Sequence, residues 1–188
     1  NISDISGLSI IKELEGTITI KNSYPGGTLT GLDNITKIGG LSIGSEENPA
    51  ANETLEMVSM TKLNEVTGNI HVYNNGVKFV QFDLLKAIEG DFVISSSTLT
   101  TLQIPELINV GGALNIFGMG KGAISTLVFP KVQTVKNSLS INEISTLKSI
   151  SFPELIETGS INFSSLPIEF EKLSMPKLSV VNGDCFIT

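Results

Sequence analysis

Hydrophobic and polar residues alternate along this chain in short runs, and the runs recur in the same order. The clearest unit begins at Leu99 and reads L-x-x-L-x-I-P-x-L-x-x-V-x-G-x-L-x-I. Alternation with a period of two is typical of strands with one buried face, so each unit predicts two short strands. Equivalent positions recur every 22–25 residues, apart from one step of 28, at Ile11, Ile35, Leu63, Leu85, Leu107, Val132, Leu155 and Leu178.

Proline and glycine stand at fixed places in this unit. Pro105 closes the first strand, because proline cannot donate a hydrogen bond to a neighbouring strand. Residues 105–110 then predict a tight turn, and we expect Gly112 to permit the reversal into the next strand. A unit this short cannot bury its own apolar face, whereas coils stacked at about 4.8 Å bury a continuous core.

The repeats therefore predict a mainly β fold, a leucine-rich-repeat-like β-solenoid of about eight coils. We expect one repeat domain over residues 1–188, with clear coils in 55–188 and looser coils in 5–44. An ordinary β-sandwich would explain the alternation but not the recurring proline and glycine.

Two insertions interrupt the repeat, an acidic one at 44–54 and a glycine-rich one at 118–122. Insertions leave a solenoid as loops on one face, which is often the binding face, although a tolerated surface excursion is the plainer interpretation. The acidic loop carries Glu46, Glu47 and Glu53, which we expect to be solvating charges.

Composition narrows the classes of partner. The net charge is −7 and all 12 basic residues are lysines, so nucleic acid is not an expected partner. No apolar run approaches the roughly 18–20 residues that span a bilayer, and we expect no membrane insertion in this segment. The single cysteine cannot form an internal disulfide.

The chain offers little for catalysis, and we expect no enzyme, no metal and no cofactor. His71 and Cys185 lie about five coils apart, and Cys185 is expected to be an inert core thiol. Asp91 and Asp184 lie four coils apart, too far for a general acid and its partner. The run around Lys121 lacks the spacing of a phosphate-binding loop.

A cluster on the outward face of the G-x-L-x-I strands is the candidate binding site. The repeat register places it on adjacent or next-adjacent coils, and its members are His71, Tyr73, Val93 and Phe117. The aromatic rings supply stacking area for a glycan or peptide. The alternative is a solvated sheet that carries some exposed aromatic residues, as protein surfaces commonly do.

The repeated phrase resembles that of the receptor L-domain family and of related cell-wall and bacterial surface proteins, best over 55–187. The resemblance implies a right-handed stack on an extracellular or cell-surface protein that serves binding or adhesion. Receptor L-domains commonly carry disulfides, and the lone Cys185 therefore favours a microbial surface protein.

We therefore expect a non-catalytic module that binds an extracellular protein or glycan through an extended sheet. A structural spacer that displays another domain is the first alternative, and a polysaccharide-active β-helix enzyme is the second. The last unit stops on its strand at Thr188 without a capping helix, so we expect either that the native chain continues or that another chain covers this end, and edge-to-edge dimerisation is the hypothesis for the second case.

Overall fold

A computed structural model describes residues 3–21, 24–48, 54–118 and 124–188. A short 3-10 helix covers Ser6–Leu8, and the other elements of these ranges are strands. In chain order they are β1 (Glu13–Ile20), β2 (Lys37–Gly44), β3 (Met57–Ser59), β4 (Glu65–Val66), β5 (Ile70–Tyr73), β6 (Phe79–Gln81), β7 (Ala87–Ile88), β8 (Phe92–Ser95), β9 (Thr101–Gln103), β10 (Asn109–Val110), β11 (Leu114–Phe117), β12 (Thr126–Val128), β13 (Thr134–Asn142), β14 (Ser149–Ser151), β15 (Glu157–Ser164), β16 (Lys172–Ser174), β17 (Val180–Val181) and β18 (Cys185–Ile187).

Every strand pair is parallel and joins one coil to the next, which confirms the β-solenoid. The largest sheet has 12 strands, and two three-stranded sheets, β3-β6-β9 and β12-β14-β16, form another side. Within the large sheet, β1, β2, β5, β8, β11, β13, β15 and β18 stack as one column, which we call the front column. The eight strands of this column belong to a β-solenoid of about seven turns.

The core lies inside the coils and follows the predicted apolar positions. Leucine, isoleucine, valine and phenylalanine side chains fill it, and most are fully buried. Phe129 and Phe152, on adjacent coils, stack face to face with ring centroids 4.5 Å apart and planes 4° apart. One coil's apolar side chains are thus covered by those of the next, which is how a short repeat buries a core.

The two three-stranded sheets are called the side sheets below. Tight turns follow their strands at the positions where the prolines of the repeat predict them. β9 ends at Gln103, and Leu107 N–H donates to the carbonyl of Ile104 at 3.4 Å across Pro105. The same bond recurs two and three coils further along, from Leu155 N–H to the Phe152 carbonyl at 3.3 Å and from Leu178 N–H to the Met175 carbonyl at 3.2 Å. Proline therefore ends the strand and begins the turn, as the sequence predicts.

Each coil bends just before its front-column strand, and the glycine at this bend has a different role from the predicted one. Gly112 has no positive φ, so conformational freedom is not what the site requires. A Cβ on Gly112 would instead lie 2.7 Å from the carbonyl carbon of Gly90 on the preceding coil. The backbones of neighbouring coils approach too closely at this bend for a side chain to fit between them.

The expectation of a buried core thiol at Cys185 is wrong. The register is as predicted, because Cys185 pairs with Ile161 and Ile161 pairs with Leu139. The thiol is nevertheless exposed, since β18 pairs with β15 alone and no described strand covers its other side.

Candidate functional site

The front column brings the four candidate residues together. His71 pairs with Val93 on the next coil, and Tyr73 pairs with Ser95, which in turn pairs with Phe117. These side chains share one face because residues two apart on a strand point the same way. We call His71, Tyr73, Val93 and Phe117 the aromatic patch.

Three rings of the patch lie in contact. The His71 and Tyr73 rings meet edge to face, with centroids 5.8 Å apart and planes at 62°. Tyr73 and Phe117 stand on strands separated by β8, yet their ring centroids are only 6.4 Å apart and their planes are inclined at 60°. Aromatic pairs favour these tilted arrangements over a flat sandwich.

Small and buried residues form the floor beneath the rings. Ser95 lies between Tyr73 and Phe117 in the register and is only 8% exposed. Val93 is 5% exposed, although its position in the strand is an outward one. Val93 therefore supports the patch from below and offers almost no surface to a ligand.

Carboxylates surround the tyrosine. Burial raises the pKa of Tyr73 first, and the nearby negative charges of Glu46 and Asp91 raise it further. Glu46 lies two residues after Gly44, the register partner of Tyr73, and is exposed to solvent. Asp91 stands at the start of the β8 coil, where its Oδ1 accepts a 2.7 Å hydrogen bond from Ala113 N–H.

The two insertions leave the stack on either side of the patch. The acidic loop departs at Gly44 and the glycine-rich one at Gly118, both with a positive φ that favours glycine. Gly44 and Phe117 occupy the same column of the register, with Tyr73 and Ser95 between them. Glu53 and residues 119–122 lie outside the described residues, so the structure places only the start of each loop.

Polar side chains continue the front face beyond the patch. Asn115, Ser140 and Asn162 follow Val93 in the register, and all three are half-buried. Asn142 Oδ1 accepts hydrogen bonds from the backbone N–H and the hydroxyl of Ser164, at 3.0 and 2.9 Å. Asn115 Oδ1 and Asn162 Oδ1 are buried without a hydrogen-bond partner.

Two shallow cavities lie at the bend beside the front column. One of 360 Å³ is lined by Glu13, Lys37 and Thr67 among others, and one of 490 Å³ by Lys136, Glu157 and Asn182 among others. Lys37 forms a 2.6 Å ion pair with Glu65, and that bond raises the pKa of the lysine. The positive charge that lines this cavity is thus already paired within the protein.

Neither a metal site nor a membrane-spanning helix emerges from the described parts of the chain. No three side chains among His, Cys, Asp and Glu come together there as metal ligands. No helix in those parts has the length and apolar character that crossing a bilayer requires.

Sequence reasoning found the rings but missed what surrounds them. Ser95 stands in the outward column of the repeat, yet nothing in the sequence shows that rings two coils apart close over it. The sequence predicts that Glu46 lies in a solvated loop. Its position only two residues after Gly44, the register partner of Tyr73, is the signal that places it near the tyrosine.

Comparison with known proteins gives one similarity. Over 125 residues the chain is 30% identical to the cell wall protein ecm33 of Schizosaccharomyces pombe. The matched stretch covers 64% of this chain and 23% of that protein. The match thus spans less than a quarter of the relative's length. No family model matches the chain, and no solved structure matches it. The chain is a β-solenoid with weak similarity to a fungal cell wall protein.

Proposed function

We propose that this chain is a non-catalytic binding module of a cell-surface protein, which holds an extracellular glycan or protein against its front face. The similarity to a cell wall protein supports the extracellular location that the sequence analysis expects. The repeated L-x-x-L-x-I-P phrase supports the finer proposal of a receptor L-domain-like stack used in binding or adhesion.

The aromatic patch is the observation that carries this proposal. The His71 and Phe117 rings each contact Tyr73, on a face whose other residues are mostly serine, threonine and asparagine. Aromatic rings give a ligand stacking area, and hydroxyl and amide groups give it hydrogen bonds. A spacer has no need of three rings grouped on one face, because the coils stack through their inward apolar side chains.

The enzyme alternative is less well supported by the placement of the carboxylates. Asp91 and Asp184 belong to the β8 and β18 coils, which β11, β13 and β15 separate. A glycosidase pair stands within about 5–10 Å, whereas four strand spacings amount to about 19 Å.

Retention on a panel of immobilised polysaccharides and extracellular matrix proteins tests the proposal, with ligand breakdown scored in parallel. We expect retention without breakdown, and its loss in the double variant Tyr73→Ala with Phe117→Ala. Phe79→Ala is the matched control, because Phe79 is an exposed ring on the side sheet. Absence of any retention would favour the spacer, and release of new sugar ends would favour the enzyme.

A further inference from the structure

We propose that the aromatic patch, together with Glu46 and Asp91, binds the protonated amino groups of a glycan that carries free amines. This inference rests on the proposed function and deepens it by naming the class of ligand. It depends on the mutual inclination of the rings, the carboxylates beside them and the pairing of the strands beneath them.

The rings have the arrangement that favours an organic cation. A cation is attracted to the face of an aromatic ring when it lies within about 6 Å of the ring centroid. Tyr73 and Phe117 are both partly exposed, and with centroids 6.4 Å apart and planes at 60° they allow a single ammonium group on the solvent side to lie near both rings. Ser95 beneath them is nearly buried, so the cation would contact the rings from the solvent side and not between them.

The charge around the rings has the matching sign. Glu46 and Asp91 lie close enough to Tyr73 for their charges to act on its hydroxyl. Glu47 follows Glu46 and is also exposed. Among the described residues of this column the nearest lysine is Lys21, two coils from Tyr73 by the register, and the chain has no arginine, whereas Lys121 of the glycine-rich insertion lies outside the described residues. A cation therefore gains from both the ring faces and the carboxylates, whereas an anion would be repelled.

The pairing of the strands favours a glycan over a peptide as the carrier of that cation. A peptide commonly docks on a sheet by adding a strand to a free edge. β5, β8 and β11 lie inside the sheet with partners on both sides, so the patch has no free edge. The face instead continues into Asn115, Ser140 and Asn162, where sugar hydroxyls can find donors and acceptors on successive coils.

Chitosan oligosaccharides are the probe, and the same oligosaccharides with every amine acetylated are the control ligand. Both are measured against the whole chain at one mildly acidic pH, at which the free amines are charged, and at low and high salt. We expect chitosan to bind with an affinity that falls as salt rises, and the acetylated form to bind at least tenfold more weakly.

Three variants locate the site. Tyr73→Leu with Phe117→Leu keeps apolar bulk but removes the rings, and we expect binding to weaken about 5- to 30-fold. Glu46→Gln removes one charge at unchanged size, and we expect about 2- to 5-fold weaker binding with a smaller salt dependence. Phe79→Leu, in the side sheet, is expected to leave binding unchanged and controls for general surface effects.

Each other outcome overturns the inference in a distinguishable way. Equal binding of the two oligosaccharides would mean that the patch recognises the sugar and not its charge. Binding of polylysine but not of chitosan would assign the patch to a basic peptide. Unchanged chitosan binding in the ring variant would remove the patch from the interaction. In all three cases retention on the ligand panel would leave the proposed binding function standing, whereas its loss would refute both.

Discussion

Gly159 offers the sharpest test of why the coils stack as they do. It stands where β13 bulges, so that Gly159 alone faces Lys136 and Asn137 of the preceding coil. A Cβ at this position would lie 2.6 Å from the carbonyl oxygen of Lys136 and 2.7 Å from the carbonyl carbon of Asn137. The obstructing atoms are backbone, which cannot rotate out of the way as a side chain can.

The cost of Gly159→Ala follows from the space that a methyl group needs. Ordinary carbon–oxygen contacts are about 3.5 Å, and the carbonyl oxygen of Asn137 lies even closer to the added Cβ than that of Lys136, so the two coils must separate locally by more than about 1 Å. Strands pair at about 4.8 Å, and such a shift breaks one or two hydrogen bonds beside the bulge at about 1 kcal/mol each. With the strain of overpacking, the free energy of unfolding should fall by about 2–4 kcal/mol.

Urea unfolding followed by circular dichroism measures this loss, and Gly7→Ala is the matched control. Gly7 is exposed, has no positive φ, and an added Cβ there would meet nothing within 4 Å. Alanine at such a site should leave stability unchanged or raise it by up to about 1 kcal/mol, because it restricts the unfolded chain. If the free energies of unfolding of both variants lie within about 0.5 kcal/mol of each other, close approach of the backbones does not explain why glycine stands at this bend.

Three further measurements test the core, the patch and the surface charges. Phe152→Ala should lower the free energy of unfolding by about 3–5 kcal/mol, and Phe152→Leu by less than half as much, because leucine still fills part of the core volume. Equal losses in the two variants would contradict this explanation. The chain has two tyrosines, Tyr24 and Tyr73, and burial is the chief cause that raises the pKa of each. An absorbance titration should therefore show both side chains ionising above the ordinary value of about 10, and Tyr73→Phe should remove one of the two transitions. Because the folded pKa values are the higher ones, this stabilisation is complete below pH 10 and is lost as the pH rises through them, which alkaline unfolding would check. The exposed Lys131–Glu106 pair, at 2.7 Å, should show a coupling below about 1 kcal/mol in a double-mutant cycle and none at high salt, and a larger value would contradict its assignment as a solvated contact.

The fold could be predicted from the sequence because each coil repeats the same burial requirement. The register of the front column follows from aligning Pro105, Gly112 and their equivalents, and it correctly places Ser42, His71 and Val93 side by side. A shift by one residue would turn every apolar side chain outward, so the apolar pattern leaves a single alignment.

The details of the site did not follow from that pattern, for reasons that the residues make clear. Alternation marks Val93 as outward but cannot show that neighbouring side chains cover it to 5% exposure. It marks Gly112 as special but does not separate a need for positive φ from a need for space. It also leaves ring orientation open, and only the structure shows that Tyr73 and Phe117 lean together across Ser95.

A repeat fold makes its exceptions informative. Apolar positions inside the coils are fixed by stacking, so their identities say little about function. Outward positions of the front column have no such constraint, and serine, threonine and asparagine satisfy them at most coils. Aromatic rings depart from this pattern at His71, Tyr73, Phe117 and Phe186, and the first three lie on coils between the departures of the two insertions at Gly44 and Gly118. Stacking requires neither the rings nor the insertions, and the grouping of three of the four rings beside both insertions is the arrangement that the proposed binding function predicts.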